Sequence, residues 1–182
     1  MVTTGSNRAV FLDRDGVVNE NLVRDRRPYA PTRFEEFHLL PGVEEAIRRL
    51  KNAGYFVVIV TNQPDVPNGI TPKETVEAIH AEIRRRLAVD DIEVCLHTDK
   101  EGCSCRKPKP GMLFAAADKY GIDTRRSWMV GDRWRDIDAG RAAGCRTLFI
   151  DYGFIQDKPV QADKIVTSLP EATEYILGHG DE

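Results

Sequence analysis

The stretch Val10-Phe11-Leu12-Asp13-Arg14-Asp15-Gly16 decides how this chain is read. An apolar run enters it, two acids stand two positions apart, and a glycine lets the backbone turn away. Residues i and i+2 of an extended chain project to the same side, so Asp13 and Asp15 are expected to share one small site. A turn starting at Asp15 would loosen that geometry. Carboxylates this close repel, and a bound cation or a shared proton relieves them. The plainer alternative is a strand end whose acids face solvent and assist a turn. The neighbouring segments decide between the two.

Working outward, Ala9 to Leu12 reads as a short buried strand ended by the acids. A long polar connection follows, from Val17 to about Leu40, with Pro28 and Pro31 inside it. Loops of that length in compact domains are usually functional or mobile. Pro41-Gly42 opens a helix with Val43, Ala46, Ile47 and Leu50 on one face, and Gly54 stands at its C-terminal end. Tyr55 to Val60 is a second apolar strand, ending at Thr61-Asn62-Gln63. Thr71-Pro72-Lys73-Glu74 predicts a capping box before a helix striped by Val76, Ile79, Ile83 and Leu87. Further strands are predicted at Ile92 to Leu96, Ser127 to Val130, Thr147 to Ile150 and Lys164 to Val166. Helices are predicted from about Met112 to Tyr120, around Trp134 to Ala143, and after Pro170.

Strands alternating with helices, each strand a near-continuous apolar run, specify an α/β fold: a Rossmann-like parallel sheet covered by helices on both faces. The 182 residues fit one domain, 1–182, with no internal repeat and no large cap. Sites in such sheets lie beyond the carboxyl ends of the strands, where the strand order switches. That rule collects Asp13 and Asp15, Thr61 to Gln63, the Arg106-Lys107 region and Asp132. Three carboxylates with a lysine and an arginine suit a cation-assisted phosphoryl site. Mg²⁺ takes oxygen ligands, keeps several waters and accepts phosphate oxygens. One carboxylate can attack phosphorus while a second protonates the leaving oxygen and later activates water. Thr61 and Lys107 are the natural donors to the transferring group.

Cys95-x-His97 and Cys103-x-Cys105 form two pairs joined by a short loop. Four N/S ligands so spaced can close a tetrahedron around a structural Zn²⁺, the alternative being reduced thiols beside a surface histidine. Such a site has no open position for water and takes no catalytic role here. Cys145 is expected simply to be buried, and His38, His80 and His179 to have surface or packing roles.

Phe11-Leu12-Asp13-Arg14-Asp15-Gly16, Val60-Thr61-Asn62-Gln63, Arg106-Lys107-Pro108-Lys109-Pro110-Gly111-Met112 and Val130-Gly131-Asp132-Arg133 resemble, in order and spacing, the four motifs of the haloacid dehalogenase superfamily. Within it the chain resembles the D-glycero-D-manno-heptose-1,7-bisphosphate 7-phosphatases, which also carry a zinc loop beside the Arg-Lys motif. The resemblance implies Asp13 as nucleophile and Asp15 as general acid and base. It implies Mg²⁺ held by Asp13, the Asp15 backbone carbonyl and Asp132, with Thr61 and Lys107 stabilising the phosphoryl group. It places Arg14, Asn21, Asn62, Gln63, Arg106 and Arg133 at the sugar phosphate. Asp136 is either a supporting acid or an exposed helix acid.

The resemblance weakens at two loops. Pro64-Asp65-Val66-Pro67-Asn68-Gly69 stands where the family has a small residue and a glycine, and the loop from Asn21 to Phe37 carries Arg24, Arg26 and Arg27. Those arginines either bind a second phosphate or are solvated. The implied substrate is a heptose 1,7-bisphosphate cleaved to the 1-phosphate. Histidinol phosphate is the rival substrate, and a zinc-stabilised non-catalytic binding module the rival class. The presence of both Asp13 and Asp15 speaks against the module.

A formal charge of -3 and the lack of a basic run argue against nucleic acid as a partner. No apolar run reaches the roughly 18 residues of a membrane helix, and Met1 to Arg8 is polar. A cytoplasmic monomer acting on a small sugar phosphate is the expectation.

Overall fold

The computed structural model describes residues 6–180; the polar stretch at Met1 to Gly5 lies outside them. Its centre is β1 (Ala9–Leu12), whose four residues are fully buried. Further along the chain come β2 (Leu22–Arg24), β3 (Arg27–Tyr29), α1 (Val43–Asn52), β4 (Phe56–Asn62), α2 (Lys73–Arg86) and β5 (Asp91–Cys95). α3 (Gly111–Tyr120), β6 (Trp128–Gly131), α4 (Trp134–Ala143), β7 (Arg146–Ile150), β8 (Lys164–Val166) and α5 (Leu169–His179) complete it.

Six strands form one sheet in the order β5-β4-β1-β6-β7-β8, every pairing parallel. β1 pairs with β4 on one side and β6 on the other, so the connections leave it in both directions. That is the switch in strand order, where the C-terminal ends leave an open crevice. Leu12 is in register with Ile59 and Val130, which sets Asp13, Thr61 and Asp132 at one rim.

Successive side chains alternate between faces. Val10, Leu12, Val57, Ile59 and Val130 point into one core, shared with Ile47 and Leu50 of α1, Ile79 and Ile83 of α2, and Ile176 of α5. Ala9, Phe11, Val58, Val60 and Met129 point into the other, shared with Leu113 and Ala116 of α3 and Ala139 of α4. Burial on both faces is why each central strand is apolar throughout rather than alternating. No helix among the described residues is long and apolar enough to cross a membrane.

Two local expectations are corrected. The connection from Val17 to Leu40 is not a bare loop, since β2 and β3 pair antiparallel as a hairpin and residues 34–36 form a 3₁₀ turn. The hairpin turn puts Asp25 and Arg26 at φ +50° and +58°, a conformation usually signalled by Asn or Gly. Neither is present, and Pro28 sits inside β3. The turn is held from outside by Ile155 N donating to Arg26 O at 3.0 Å and Arg26 Nη2 donating to Gly153 O at 2.8 Å. The capping box at Thr71 does not form either. α2 begins one residue later, with Pro72 as its N-terminal cap residue, and the buried Thr71 hydroxyl has no partner.

Candidate active site

Lys107 lies 2% exposed, with its ammonium in the crevice. Its Nζ donates to Asp13 Oδ1 at 2.8 Å, to Asp136 Oδ1 at 2.6 Å and to the Val60 carbonyl at 2.7 Å. Its backbone is fixed by Asn62: Lys107 N donates to Asn62 Oδ1 and Asn62 Nδ2 donates to Lys107 O, each at 3.0 Å. Burial would lower the lysine's pKa, but Asp13 and Asp136 outweigh it and raise the pKa above the usual value, so the ammonium stays charged. Asp136 is buried, and its Oδ2 accepts from Arg133 N at 3.0 Å. The exposed-acid alternative for this residue is thereby ruled out.

Asp13, Asp132 and Asp136 each bring a carboxylate oxygen within 4.8 Å of the others. Burial first, then the charge of Asp136, raises Asp13 to about 6 despite Lys107. Asp132 is pushed well up by burial and by Asp13 and Asp136. Its Oδ2 accepts from Asn21 Nδ2 at 2.9 Å, while its buried Oδ1 has no donor at all. Gly16 turns the chain at φ +90° directly beneath, and a Cβ there would stand 2.2 Å from Asp132 Oδ2. Gly131 is equally tight, a Cβ meeting the Asp136 Cβ at 2.1 Å.

Asp15 occupies a different setting. Its Oδ1 accepts from Arg14 Nε at 3.1 Å and Nη2 at 2.9 Å and from Asn19 Nδ2 at 3.0 Å; its Oδ2 accepts from Gln63 Nε2 at 2.8 Å. Burial raises its pKa, but the Arg14 guanidinium and these hydrogen bonds prevail and hold it below the usual carboxylate value. Arg14 therefore does not stand at the cleft as a substrate contact. It is fully buried and spans from Asp15 to His80, with Nη1 3.1 Å from His80 Nε2. Gln63 is likewise buried, donating to Thr61 Oγ1 at 2.9 Å as well as to Asp15. Thr61 is fully buried beneath the crevice. His80, read from the sequence as a surface or packing residue, is buried. Burial and the nearby Arg14 charge push it down to about 3, so it is neutral and free to accept from Arg14.

The cleft above these groups has a volume of about 230 Å³ and is lined by Asp13, Asp15, Asn21, Asn62, Arg106, Lys107 and Arg133, and also by Tyr29, Asp65 and Arg135. Tyr29 enters through the β2–β3 hairpin, which Arg133 Nη2 anchors by donating to Pro28 O at 2.6 Å. Asp99 on the cysteine loop holds Arg106 at 2.9 Å and Arg135 at 3.2 Å side by side. Of the loop arginines, Arg26 bonds to Gly153, Arg27 pairs with Asp157 at 3.6 Å, and Arg24 lies over Tyr29; none of the three lines this cleft. Arg135, Asp65 and Tyr29 escaped sequence reasoning. For Arg135 the available signal was its position beside Asp136, second in α4.

Two groups fit metals. The rim carboxylates supply hard oxygen donors, and the unpartnered Asp132 Oδ1 is the orphan a cation would satisfy. Cys95 Sγ, His97 Nδ1, Cys103 Sγ and Cys105 Sγ converge with separations of 2.7 to 3.7 Å, and the cysteines are free thiols. Zinc–sulfur bonds of ~2.3 Å in a tetrahedron require edges of roughly 3.8 Å, close to most of these.

A carboxylate cluster bridged by a buried lysine at the switch of a parallel sheet has the chemistry of a cation-assisted phosphoryl-transfer site. Comparison with known proteins narrows the class. The HAD-hydrolase-like sequence family matches residues 104–172. The D-glycero-beta-D-manno-heptose-1,7-bisphosphate 7-phosphatase of Pseudomonas putida is 40% identical over 151 residues, covering 80% of this chain and 83% of its own. The D-glycero-D-manno-heptose-1,7-bisphosphate 7-phosphatase of Thermosynechococcus vestitus is 34% identical, covering 94% and 96%. The crystal structure of a D,D-heptose 1,7-bisphosphate phosphatase from B. bronchiseptica, complexed with magnesium and phosphate, superposes with a TM-score of 0.78 at 32% identity, covering 94% of this chain and 98% of that one. The chain belongs to the haloacid dehalogenase superfamily, in the family of D-glycero-D-manno-heptose-1,7-bisphosphate 7-phosphatases.

Proposed function

We propose that the chain removes the 7-phosphate of D-glycero-D-manno-heptose 1,7-bisphosphate, leaving the 1-phosphate, through an aspartyl-phosphate on Asp13. The observation that carries this reading is the Lys107 ammonium clamped between Asp13 and Asp136 at the sheet rim. The relatives' names supply the substrate.

Mg²⁺ would be held by Asp13, the Asp15 backbone carbonyl and Asp132, and supplies the positive charge that offsets the phosphoryl dianion. An Asp13 oxygen attacks phosphorus, and the bond from phosphorus to the sugar oxygen breaks. Lys107 offsets the charge of the transferring group, and the Thr61 hydroxyl donates a hydrogen bond to it. Asp15 gives its proton to the departing oxygen. Arg14, Asn19 and Gln63 keep this carboxyl anionic at rest. The arriving dianion opposes its charge and favours the protonated form needed for this step. Asp15 then takes a proton from water, which attacks the aspartyl-phosphate and restores Asp13. Asn21, Asn62, Arg106 and Arg133 line the cleft where the sugar and its second phosphate would lie. Zn²⁺ on Cys95, His97, Cys103 and Cys105 would fix the loop that leads into Arg106 and Lys107, without a part in the chemistry.

Asp13→Asn is expected to abolish magnesium-dependent phosphate release while the fold persists by circular dichroism. Retained release would refute the nucleophile. Faster turnover of histidinol phosphate than of the heptose bisphosphate by the unmodified protein would refute the substrate.

A further inference from the structure

The loop Pro64-Asp65-Val66-Pro67-Asn68-Gly69 leaves the end of β4 beside the cleft. Four backbone hydrogen bonds hold it in a compact turn. The Asp65 carbonyl accepts from Ile70 N at 2.9 Å and Thr71 N at 3.1 Å, Asn68 N donates to Pro64 O at 3.2 Å, and Gly69 N donates to Val66 O at 3.0 Å. Two prolines fix φ within the same turn. The Asp65 carboxylate, by contrast, has no hydrogen bond or ion pair among the described residues, although Arg106, Arg133 and Arg135 line the same cleft. Asp65 and Asp15 both line the cleft, close enough for Asp15 to add to the effect of partial burial in raising the Asp65 pKa.

A carboxylate can only accept hydrogen bonds. One more negative charge at the mouth of a site for a phosphate dianion weakens binding unless the ligand brings a donor to it. Asp15 faces the leaving oxygen in the proposed mechanism, so a donor reaching Asp65 belongs to the carbon chain next to that oxygen. We infer that Asp65 is a specificity-determining residue that accepts a hydrogen bond from the hydroxyl on the carbon adjacent to the scissile ester. This rests on the phosphatase reading above and selects, within it, for polyol phosphates against esters lacking that hydroxyl.

Two small esters test the inference without relying on the heptose assignment. sn-Glycerol 3-phosphate carries the adjacent hydroxyl, and 3-hydroxypropyl phosphate lacks that hydroxyl alone. The unmodified protein should favour the glycerol ester in kcat/KM by about tenfold or more, the scale of a hydrogen bond to a charged group. Asp65→Ala should bring the ratio towards unity. Asp65→Asn, whose amide oxygen still accepts, should keep part of the preference. A ratio unchanged in Asp65→Ala would overturn the assignment. So would a wild type with no preference, including one that turns over neither ester. The heptose reading is judged separately. A protein that ignores heptose bisphosphate yet loses its glycerol-ester preference on Asp65→Ala would sink that substrate and leave Asp65 its role.

Discussion

Replacing Lys107 by methionine removes the one cation within hydrogen-bonding distance of both Asp13 and Asp136 among the described residues. Methionine fills nearly the same space, so the change is mainly one of charge. At an effective dielectric of 20, a pair of charges 2.8 Å apart attracts by about 6 kcal/mol, and the lysine makes two such pairs. Much of that offsets the cost of burying three ions. Breaking a buried pair from one side typically destabilises by about 3–5 kcal/mol, because the remaining charges lose their partner. At a urea dependence of about 2 kcal/mol per molar, the midpoint should fall by about 2 M. The loss should also depend on pH. Asp13 is raised to about 6 in the folded protein against an ordinary 3.8, so the folded state binds its proton more readily than the unfolded chain. Stability from this group is present at low pH and is lost as pH rises through about 6. Without Lys107 that window moves higher still. The destabilisation should therefore be larger at pH 8 and shrink as pH falls towards 6, where Asp13 in the variant holds a proton in place of its lost counter-ion. Urea titrations in magnesium-free buffer at pH 5 and pH 8, followed by tryptophan fluorescence, measure both. A midpoint at pH 8 equal to that of the unmodified protein, or a loss of the same size at both pH values, would refute the view that Lys107 is the counter-charge of this cluster.

Other perturbations follow from the same geometry. Cys103→Ser should lower bound zinc from one equivalent per chain and raise amide exchange across residues 96–107, by metal analysis and mass spectrometry. His80 sits at about 3 in the folded protein against an ordinary 6.5. The unfolded chain binds the extra proton, so stability should fall by up to about 1.4 kcal/mol per pH unit on acidification from pH 6.5. His80→Gln should flatten that slope in urea titrations between pH 7 and pH 4.5. Gly16→Ala should remove phosphate release and lower the melting temperature by scanning calorimetry, since its Cβ would stand 2.2 Å from Asp132 Oδ2 in a left-handed conformation.

The centre of the sheet was legible because β1, β4 and β6 are buried on both faces and read as apolar runs. Trp134 to Ala143 matches α4 at both ends, bounded by Asp132-Arg133 before it and Gly144 after it. Lys164 to Val166, with two of its three residues exposed, is nonetheless the edge strand β8. The hairpin at β2 and β3 was not legible. Its three-residue strands carry no alternation, and its turn is imposed by the segment 153–157. The rim residues Asp13 and Asp132, each one position past its strand, could be collected from strand-end positions, whereas Lys107 lies on the loop well beyond β5. What position cannot reveal is the direction a side chain takes. Arg14 lies between two rim acids in sequence, yet its guanidinium runs inward to His80, 66 residues away. The same limit applies to Asp65, whose significance depends on the absence of a partner.

The cysteine cluster and the carboxylate cluster are parts of one device, and Asn62 joins them. Lys107 is two residues beyond Cys105, on a segment whose chain from Thr98 to Ser104 has no buried side chain to anchor it. A buried ammonium held at 2.6 to 2.8 Å by three oxygens tolerates little backbone movement. The segment is pinned from two sides. Cys95 ties the cysteine group to the end of β5, in register with Asn62 on β4, and the Asn62 amide clasps both backbone polar groups of Lys107. The residue before Lys107 is Arg106, held with Arg135 of α4 on the carboxylate of Asp99. Strand pairing between β4 and β5 thereby sets the distance between the zinc-type cluster and the lysine. A loop with little core of its own thus acquires the precision of the sheet beside it, which is what a group positioned over developing charge requires.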